Sequence, residues 1–425
     1  MTDRSSLPLA GIRVLELGNY IAAPTAGRML ADFGAEVVKV ERPGTGDELR
    51  GWRLHSGTTS MLYRTINRNK KSVALDLRSA AGLRAARQLV AASDIVLENF
   101  RPGTLEKWGL GPEVLEQLNP EVILVRISAF GQTGPLSVRP GFAAVAEAYG
   151  GFRELVGDPD RPPSRVGVSI GDSIAGMQAA FGACMLLFDR ERSRTAAAGS
   201  GAAAGSNLDP RSGRTVDVAL HEAMFSVMES LIPDYSAFGV RRTRTGGRTQ
   251  GIAPSNAYPC LGGKSIVIAG NGDGIFRRYM AVIGRSDLAA DPGLQTNQQR
   301  WERRDELDEA ISAWTRRRSP EEALAALEAA EVPAGPIYTA EDILADEQYR
   351  ARNMLQHFDV DTGAEVVREV AFPGITPVLD GRSVDIDHLG PDLGEHTVEV
   401  LQGAGVDADT IAEVMAGTRT TEEKR

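Results

Sequence analysis

The stretch Gly11–Arg42, GIRVLELGNYIAAPTAGRMLADFGAEVVKVER, decides the fold class. GIRVLEL is an apolar run of strand length, AAPTAGRMLADFG spaces its small and apolar residues as a helix does, and EVVKVER returns to a strand pattern. Strand, helix and strand within about 30 residues make a βαβ unit, because parallel strands need a crossover between them. The alternation continues through VALDL (73–77), a helical stretch from Ser79 to Ala92, DIVLENF (94–100), VILVRISAFG (122–131) and TVDVAL (215–220). It predicts an α/β large domain, Rossmann-like in the loose sense, with a parallel sheet covered on both faces. The turn after the first strand, LGNYIAAPTAG, lacks the GxGxxG that lets backbone approach a pyrophosphate, and GNGDGIF (270–276) carries no Walker lysine. Dinucleotide and nucleoside triphosphate use are therefore disfavoured.

A chain of 425 residues exceeds what one core usually serves. A composition shift at 221–239 and the turn VPAGPIY (332–338) bracket a smaller α+β domain. The expected layout is a large domain over 1–222, a small domain over 223–331 and a C-terminal return over 332–425. A single helix is expected from His221 to about Phe238, and the run Ser319-Pro320-Glu321-Glu322 predicts a helix opened by a capping box. Residues 195–206, TAAAGSGAAAGS, read as a flexible surface insertion.

Lys and Arg total 47 against 57 Asp and Glu, a net charge of -10, which argues against nucleic acid as a partner. No window approaches the ~20 apolar residues of a membrane span, and MTDRSSLPLAG lacks the features of a signal peptide. A cytoplasmic protein without membrane contact is expected. Cys184 and Cys260 suggest no disulfide framework, and the five scattered histidines suggest no metal site.

VSIGDSIAG (168–176) sets one carboxylate, Asp172, between glycines just before the apolar helix pattern MQAAFGACMLL. On local grammar Asp172 is a helix N-cap. Its glycines, Gly171 and Gly176, would let substrate and backbone approach closely.

Seven segments together resemble the family III CoA-transferases: LADFGAEVVKVERPGTGD (30–47), NRNKKSVALDL (67–77), ENFRPGTLEKWGL (98–110), ISAFGQTGP (127–135), GDSIAG (171–176), PAGPIYT (333–339) and LGEHTVEVL (393–401). Their wording looks nearest to succinyl-CoA-dependent dicarboxylate transferases. The resemblance implies that Asp172 is a nucleophile, that CoA moves from an acyl-CoA to a carboxylic acid, and that the enzyme holds no permanent cofactor. A carboxylate attacking a thioester gives an anhydride, which keeps the acyl group activated without ATP. The resemblance further implies contacts to CoA from Tyr20, Ile21, Ala22, Arg42, Asn99, Phe100 and Phe130, with Lys107 and Trp108 standing where formyl-CoA transferase has arginine and methionine. Gln132 is expected at the acid. Lys70 and Lys71 are candidate phosphate partners. A guanidinium fork suits a carboxylate, so Arg248, with Arg244, is a candidate for the distal carboxylate of a dicarboxylic acid. The resemblance also implies a ring-shaped subunit threaded through its partner in an interlocked homodimer.

Two other readings stay open. The α-methylacyl-CoA racemases share this fold and aspartate, but racemisation needs a second proton-handling group, and their histidine matches Phe142 here. The third reading is an acyl-CoA binder that does not turn over.

Overall fold

The structure, a computed structural model, describes residues 3–200 and 214–422. Six strands form one sheet: β1 (Arg13–Glu16), β2 (Glu36–Glu41), β3 (Lys70–Ala74), β4 (Ile95–Glu98), β5 (Ile123–Ser128) and β6 (Thr215–Ala219). They lie in the order β3-β2-β1-β4-β5-β6, and every neighbouring pair is parallel. The chain winds outward from β1 to β3, then crosses back to β4 on the other side of β1. The carboxyl ends of β1 and β4 thus flank a switch in winding direction, the place where open α/β sheets leave a crevice for ligands.

Helices α1 (Ala22–Asp32), α2 (Ala80–Ala91), α3 (Thr104–Lys107), α4 (Ala143–Tyr149), α5 (Ile170–Ser200) and α6 (Leu220–Phe225) belong to the same unit. Val14, Val37, Leu97 and Val125 bury one face of the sheet with Ala26 and Leu30 of α1 and Ala179 and Ala183 of α5. Leu15, Val40, Val96 and Leu124 bury the other, with Leu89 of α2. Both faces are covered, so the strands read as near-continuous apolar runs.

A second unit comprises 152–166 and 229–346. It holds an antiparallel sheet of β7 (Ser255–Pro259), β8 (Ser265–Ala269) and β9 (Ala334–Pro336), ordered β9-β8-β7. Helices α7 (Asp273–Val282), α8 (Arg304–Thr315) and α9 (Pro320–Ala329) share its core of Tyr258, Ile266, Phe276, Leu307 and Trp314. The capping box at Ser319 and Glu322 is present. Residues 347–425 group with the first unit. They form a hairpin of β10 (Leu355–Asp361) and β11 (Val366–Pro373), then α10 (Thr397–Gly403) and α11 (Ala408–Glu422), whose Leu401, Ile411 and Val414 complete the second face of the parallel sheet.

Several expectations are corrected. The single helix from His221 is two, because Glu229 takes a left-handed backbone (φ 53°) that an α-helix cannot continue through, and the second helix spans Leu231–Phe238. The turn VPAGPIY contains β9. Residues 195–200 of the supposed insertion extend α5, as alanine's helix propensity favours; residues 201–206 lie outside the described residues. Ile170–Thr195 is long and apolar enough to cross a membrane by composition alone, contrary to the reading of the sequence. Ala175, Ala179, Ala180 and Ala183 of that helix are core residues. The glycines beside Asp172 serve helix packing: a Cβ on Gly176 would meet Ala22 O at 2.7 Å and Thr25 Cβ at 2.8 Å, and one on Gly171 would meet Glu147 Cγ at 3.3 Å.

Gly176→Ala should therefore lower stability by about 1–3 kcal/mol through overpacking, despite alanine's better propensity. A urea midpoint equal to wild type would show that α1 and α5 do not need this contact.

Candidate active site

Charge is buried on three neighbouring strands of the parallel sheet. Glu16 of β1, Lys39 of β2 and Lys70 of β3 are fully buried. Lys39 Nζ donates to Glu16 Oε1 at 3.0 Å and pairs with Asp47 at 2.8 Å, while Lys70 Nζ donates to Glu16 Oε2 at 2.7 Å. The same ammonium groups also take backbone: Lys39 donates to Gly18 O (2.7 Å) and Lys70 to Pro24 O (2.8 Å). Asp47 Oδ1 accepts the N–H of Tyr20 at 3.0 Å, which holds Tyr20 at a left-handed φ of 64°. The loop from β1 into α1 is thus tied down by three charged side chains. Gly27 is needed for this arrangement, because a Cβ there would sit 1.9 Å from Glu16 Oε2.

Burial pulls Lys70 down to about 8, against the Glu16 carboxylate that holds its charge, with Lys39 also opposing it. Lys39 moves the other way, since Asp47 and Glu16 outweigh its burial. Burial would also raise Glu41, but bonds and charge from Arg50, with Lys39, bring it to about 2. Arg50 thereby folds the segment carrying Arg42 and Asp47 back over the sheet, and Asp47 N–H donates to Glu41 at 3.0 Å.

The loop after β4 meets the loop after β1 directly. Asn99 Oδ1 accepts Asn19 N–H at 2.9 Å, and Asn99 Nδ2 donates to Asn19 O at 2.7 Å. Beside this pair opens a cleft of about 420 Å³, walled by Tyr20, Asn99, Phe100, Phe142 and, from the first turn of α5, Asp172. Its cations are Arg101 and Arg139; Arg139 donates to the Tyr149 hydroxyl at 2.6 Å. A second cleft of about 250 Å³ is walled by Asn19, Arg42, Asp76, Arg78, Phe100 and Trp108. Phe100 lines both. Among the described residues no group of three or more His, Cys, Asp or Glu could hold a metal ion.

The model of CoA-transferase family III matches residues 9–397. The chain belongs to CoA-transferase family III. It is 42% identical over 419 residues to the succinyl-CoA–D-citramalate CoA-transferase of Chloroflexus aurantiacus, covering 98% of each chain. It is 33% identical over 412 residues to the succinate–glutarate CoA-transferase of Agrobacterium fabrum, covering 94% of this chain and 97% of that one. Among solved structures, a CaiB/BaiF family protein from Brucella suis matches with a TM-score of 0.78 and 31% identity over 94% of this chain and 99% of that one. The protein is a CoA-transferase.

Within this family III enzyme, Tyr20, Ala22, Asn99, Phe100 and Asp172 come together in one cleft, and Arg42, Phe100 and Trp108 in the next. Ile21 is buried at the start of α1, Lys107 is exposed outside both clefts, and Phe130 is buried edge-on to Tyr149. Gln132 donates its backbone N–H to Asp217 at 2.9 Å. Helix α5 begins at Ile170, so Asp172 lies inside its first turn and is not the N-cap. Lys70 is no phosphate partner: its ammonium is enclosed by Glu16, Pro24 O and Asn67. Lys71 bridges Glu36 and Glu399. In the small unit, Arg248 already holds two carboxylates, Asp308 and Asp305, each at 2.7 Å, and Arg244 pairs with Glu154. The sequence reading missed Arg101 and Arg139. Each opens an Arg-Pro-Gly triplet, 101–103 and 139–141, as Arg42 does at 42–44, and that repeat was the available signal.

Lys39→Met would leave Asp47 buried without its ammonium and Glu16 with one of its two, which typically costs about 3–5 kcal/mol. Denaturant unfolding checks this. A loss below about 1 kcal/mol would mean the cluster behaves like a surface ion pair.

Proposed function

We propose that this enzyme moves CoA from succinyl-CoA, or a related dicarboxylic acyl-CoA, to a dicarboxylic acid, with Asp172 as the nucleophile. The observation that carries the reading is the position of Asp172 in the first turn of α5, half-buried and opening on the cleft that Tyr20, Asn99 and Phe100 also line. The names of the relatives support the substrate class: each pairs succinate or succinyl-CoA with a dicarboxylic acid.

In the proposed sequence an Asp172 oxygen attacks the thioester carbonyl, the C–S bond breaks, and CoA leaves as thiolate from an aspartyl-acyl anhydride. The thiolate then attacks the Asp172 carbonyl, releasing the donor acid and leaving an aspartyl-CoA thioester. The acceptor carboxylate displaces CoA from that thioester, and the thiolate attacks the acceptor's carbonyl, which restores Asp172. The positive end of α5, at whose first turn Asp172 stands, is suited to the oxyanions. Good orientation supplies much of the rest, since aspartate is a weak nucleophile. Arg101 and Arg139 offer positive charge to anionic substrates. Phe142 lines the same cleft, and its ring can neither accept nor donate a proton, which weighs against racemisation.

The proposal includes a homodimer, interlocked as the resemblance implies. Its support is an apolar stripe on α5, Met177, Phe181, Met185 and Phe188, all exposed in the single chain.

Incubation with succinyl-CoA followed by borohydride or hydroxylamine should mark Asp172 by mass spectrometry. Asp172→Asn should slow exchange of labelled succinate into succinyl-CoA by about 10³-fold or more, and dicarboxylic acceptors should outperform monocarboxylic ones. Exchange at wild-type speed in the variant, or α-proton exchange with solvent in the absence of any acceptor, would sink the reading.

A further inference from the structure

Glu98, the last residue of β4, is fully buried, yet it lines neither cleft. Its Oε2 accepts the N–H of Phe100 at 2.7 Å and its Oε1 accepts Nε of Arg126 at 2.6 Å. Arg126 stands opposite Glu98 in register on β5. The other arm of its guanidinium reaches Glu106 on α3, with Nη1 to Oε1 at 2.9 Å. Two residues beyond Glu106 comes Trp108, whose ring meets Phe100 edge-on with centroids 4.9 Å apart at 73°. The contacts therefore close a ring from Phe100 through Glu98, Arg126, Glu106 and Trp108 back to Phe100. Both aromatic rings wall the 250 Å³ cleft, and Phe100 also walls the cleft of Asp172.

We propose that Glu98, Arg126 and Glu106 form a positioning relay that fixes the Phe100–Trp108 pair and so sets the affinity for acyl-CoA, without entering acyl transfer. This rests on the reading of these clefts as the acyl-CoA site. A buried carboxylate is costly, and an apolar side chain at position 98 would avoid that cost. What only a carboxylate supplies is two acceptor oxygens aimed at two donors, one on the substrate loop and one on the neighbouring strand β5, whose Arg126 also holds Glu106 of α3.

Burial raises Glu98 to about 7 against the pull of Arg126 and the Phe100 N–H, and Glu106 adds to the rise. The charged groups around it are Arg126 on β5, Glu106 and Lys107 on α3, and Asp217 on β6, which stands opposite Arg126 and bonds Gln132. Protonation gives up one acceptor, so the relay slackens as pH falls through about 7. The folded pKa lies above the unfolded one. Glu98's contribution to stability is accordingly full below its ordinary carboxylate range and is lost as pH rises through about 7. Affinity and stability thus move in opposite directions with pH, which a merely structural role would not produce.

The test compares wild type, Glu98→Gln and Glu106→Gln as full chains. It measures kcat and both KM values from pH 6 to 8.5, along with ligand-free Trp108 emission obtained by subtracting Trp108→Phe spectra. Glu98→Gln should raise the KM for succinyl-CoA about tenfold, leave that for the acid unchanged, and lower kcat less than about threefold. It should also abolish an inflection near pH 7 in KM and in Trp108 emission. Glu106→Gln, altered at a partly exposed side chain, should raise the same KM about threefold and keep the inflection. An inflection that survives Glu98→Gln, or unchanged KM values in both variants, overturns the relay. Should Glu98→Gln fail to fold, Glu106→Gln and the wild-type emission profile decide. Should wild type bind no acyl-CoA, the reading of the clefts fails, and the ligand-free Trp108 titration still judges the relay.

Discussion

Two ammonium groups and two carboxylates, Lys39, Lys70, Glu16 and Asp47, are sealed together between three parallel strands and the loops beside them. Removing them from water costs several kcal/mol per ion, and attraction between them repays that only with good geometry and satisfied remaining valences. Here the spare bonding capacity goes to backbone: the carbonyls of Gly18 and Pro24 and the amide of Tyr20. A hydrophobic cluster of the same volume could bury as much area. It could not hold a loop of unpaired peptide groups in one conformation at the mouth of the sheet.

That loop is one lip of the crevice where the winding reverses, and the Asn99 turn is the other. Parallel α/β sheets place ligands there because loop N–H groups and helix N-termini converge while the sheet beneath stays rigid. Asp172 arrives from a third direction on α5, which reaches the crevice because Gly176 lets it lie against α1 and Gly171 against α4. A small-residue helix start brings this carboxylate close to two loops with little side-chain bulk in the way. Arg101 and Arg139 add positive charge to the rim.

The sheet was legible in the sequence because its strands are apolar enough to be seen, though the edges were not. VALDL suggested a strand from Val73, whereas β3 begins at Lys70, since lysines do not mark a buried strand until the ion pair of Lys70 with Glu16 is known. The β10–β11 hairpin went unread for a related reason: much of β11 is exposed, which removes the apolar alternation that marks a half-buried strand. Asp172 was singled out by its glycine setting and family wording. Arg139 was not, because an arginine in a polar loop looks the same whether it faces water or a cleft.

By itself the sequence determined the βα alternation of the parallel sheet, the family and the nucleophile candidate, because periodicity and motif wording are local properties of the chain. Only the tertiary structure decided which charges are buried and which are offered to a ligand. Lys70 turned inward, Arg248 closed on two aspartates, and Arg101 and Arg139 took the rim. The physical reason is that the state of a charged side chain depends on its distance to opposite charge and to water, and both distances are set by residues remote in sequence.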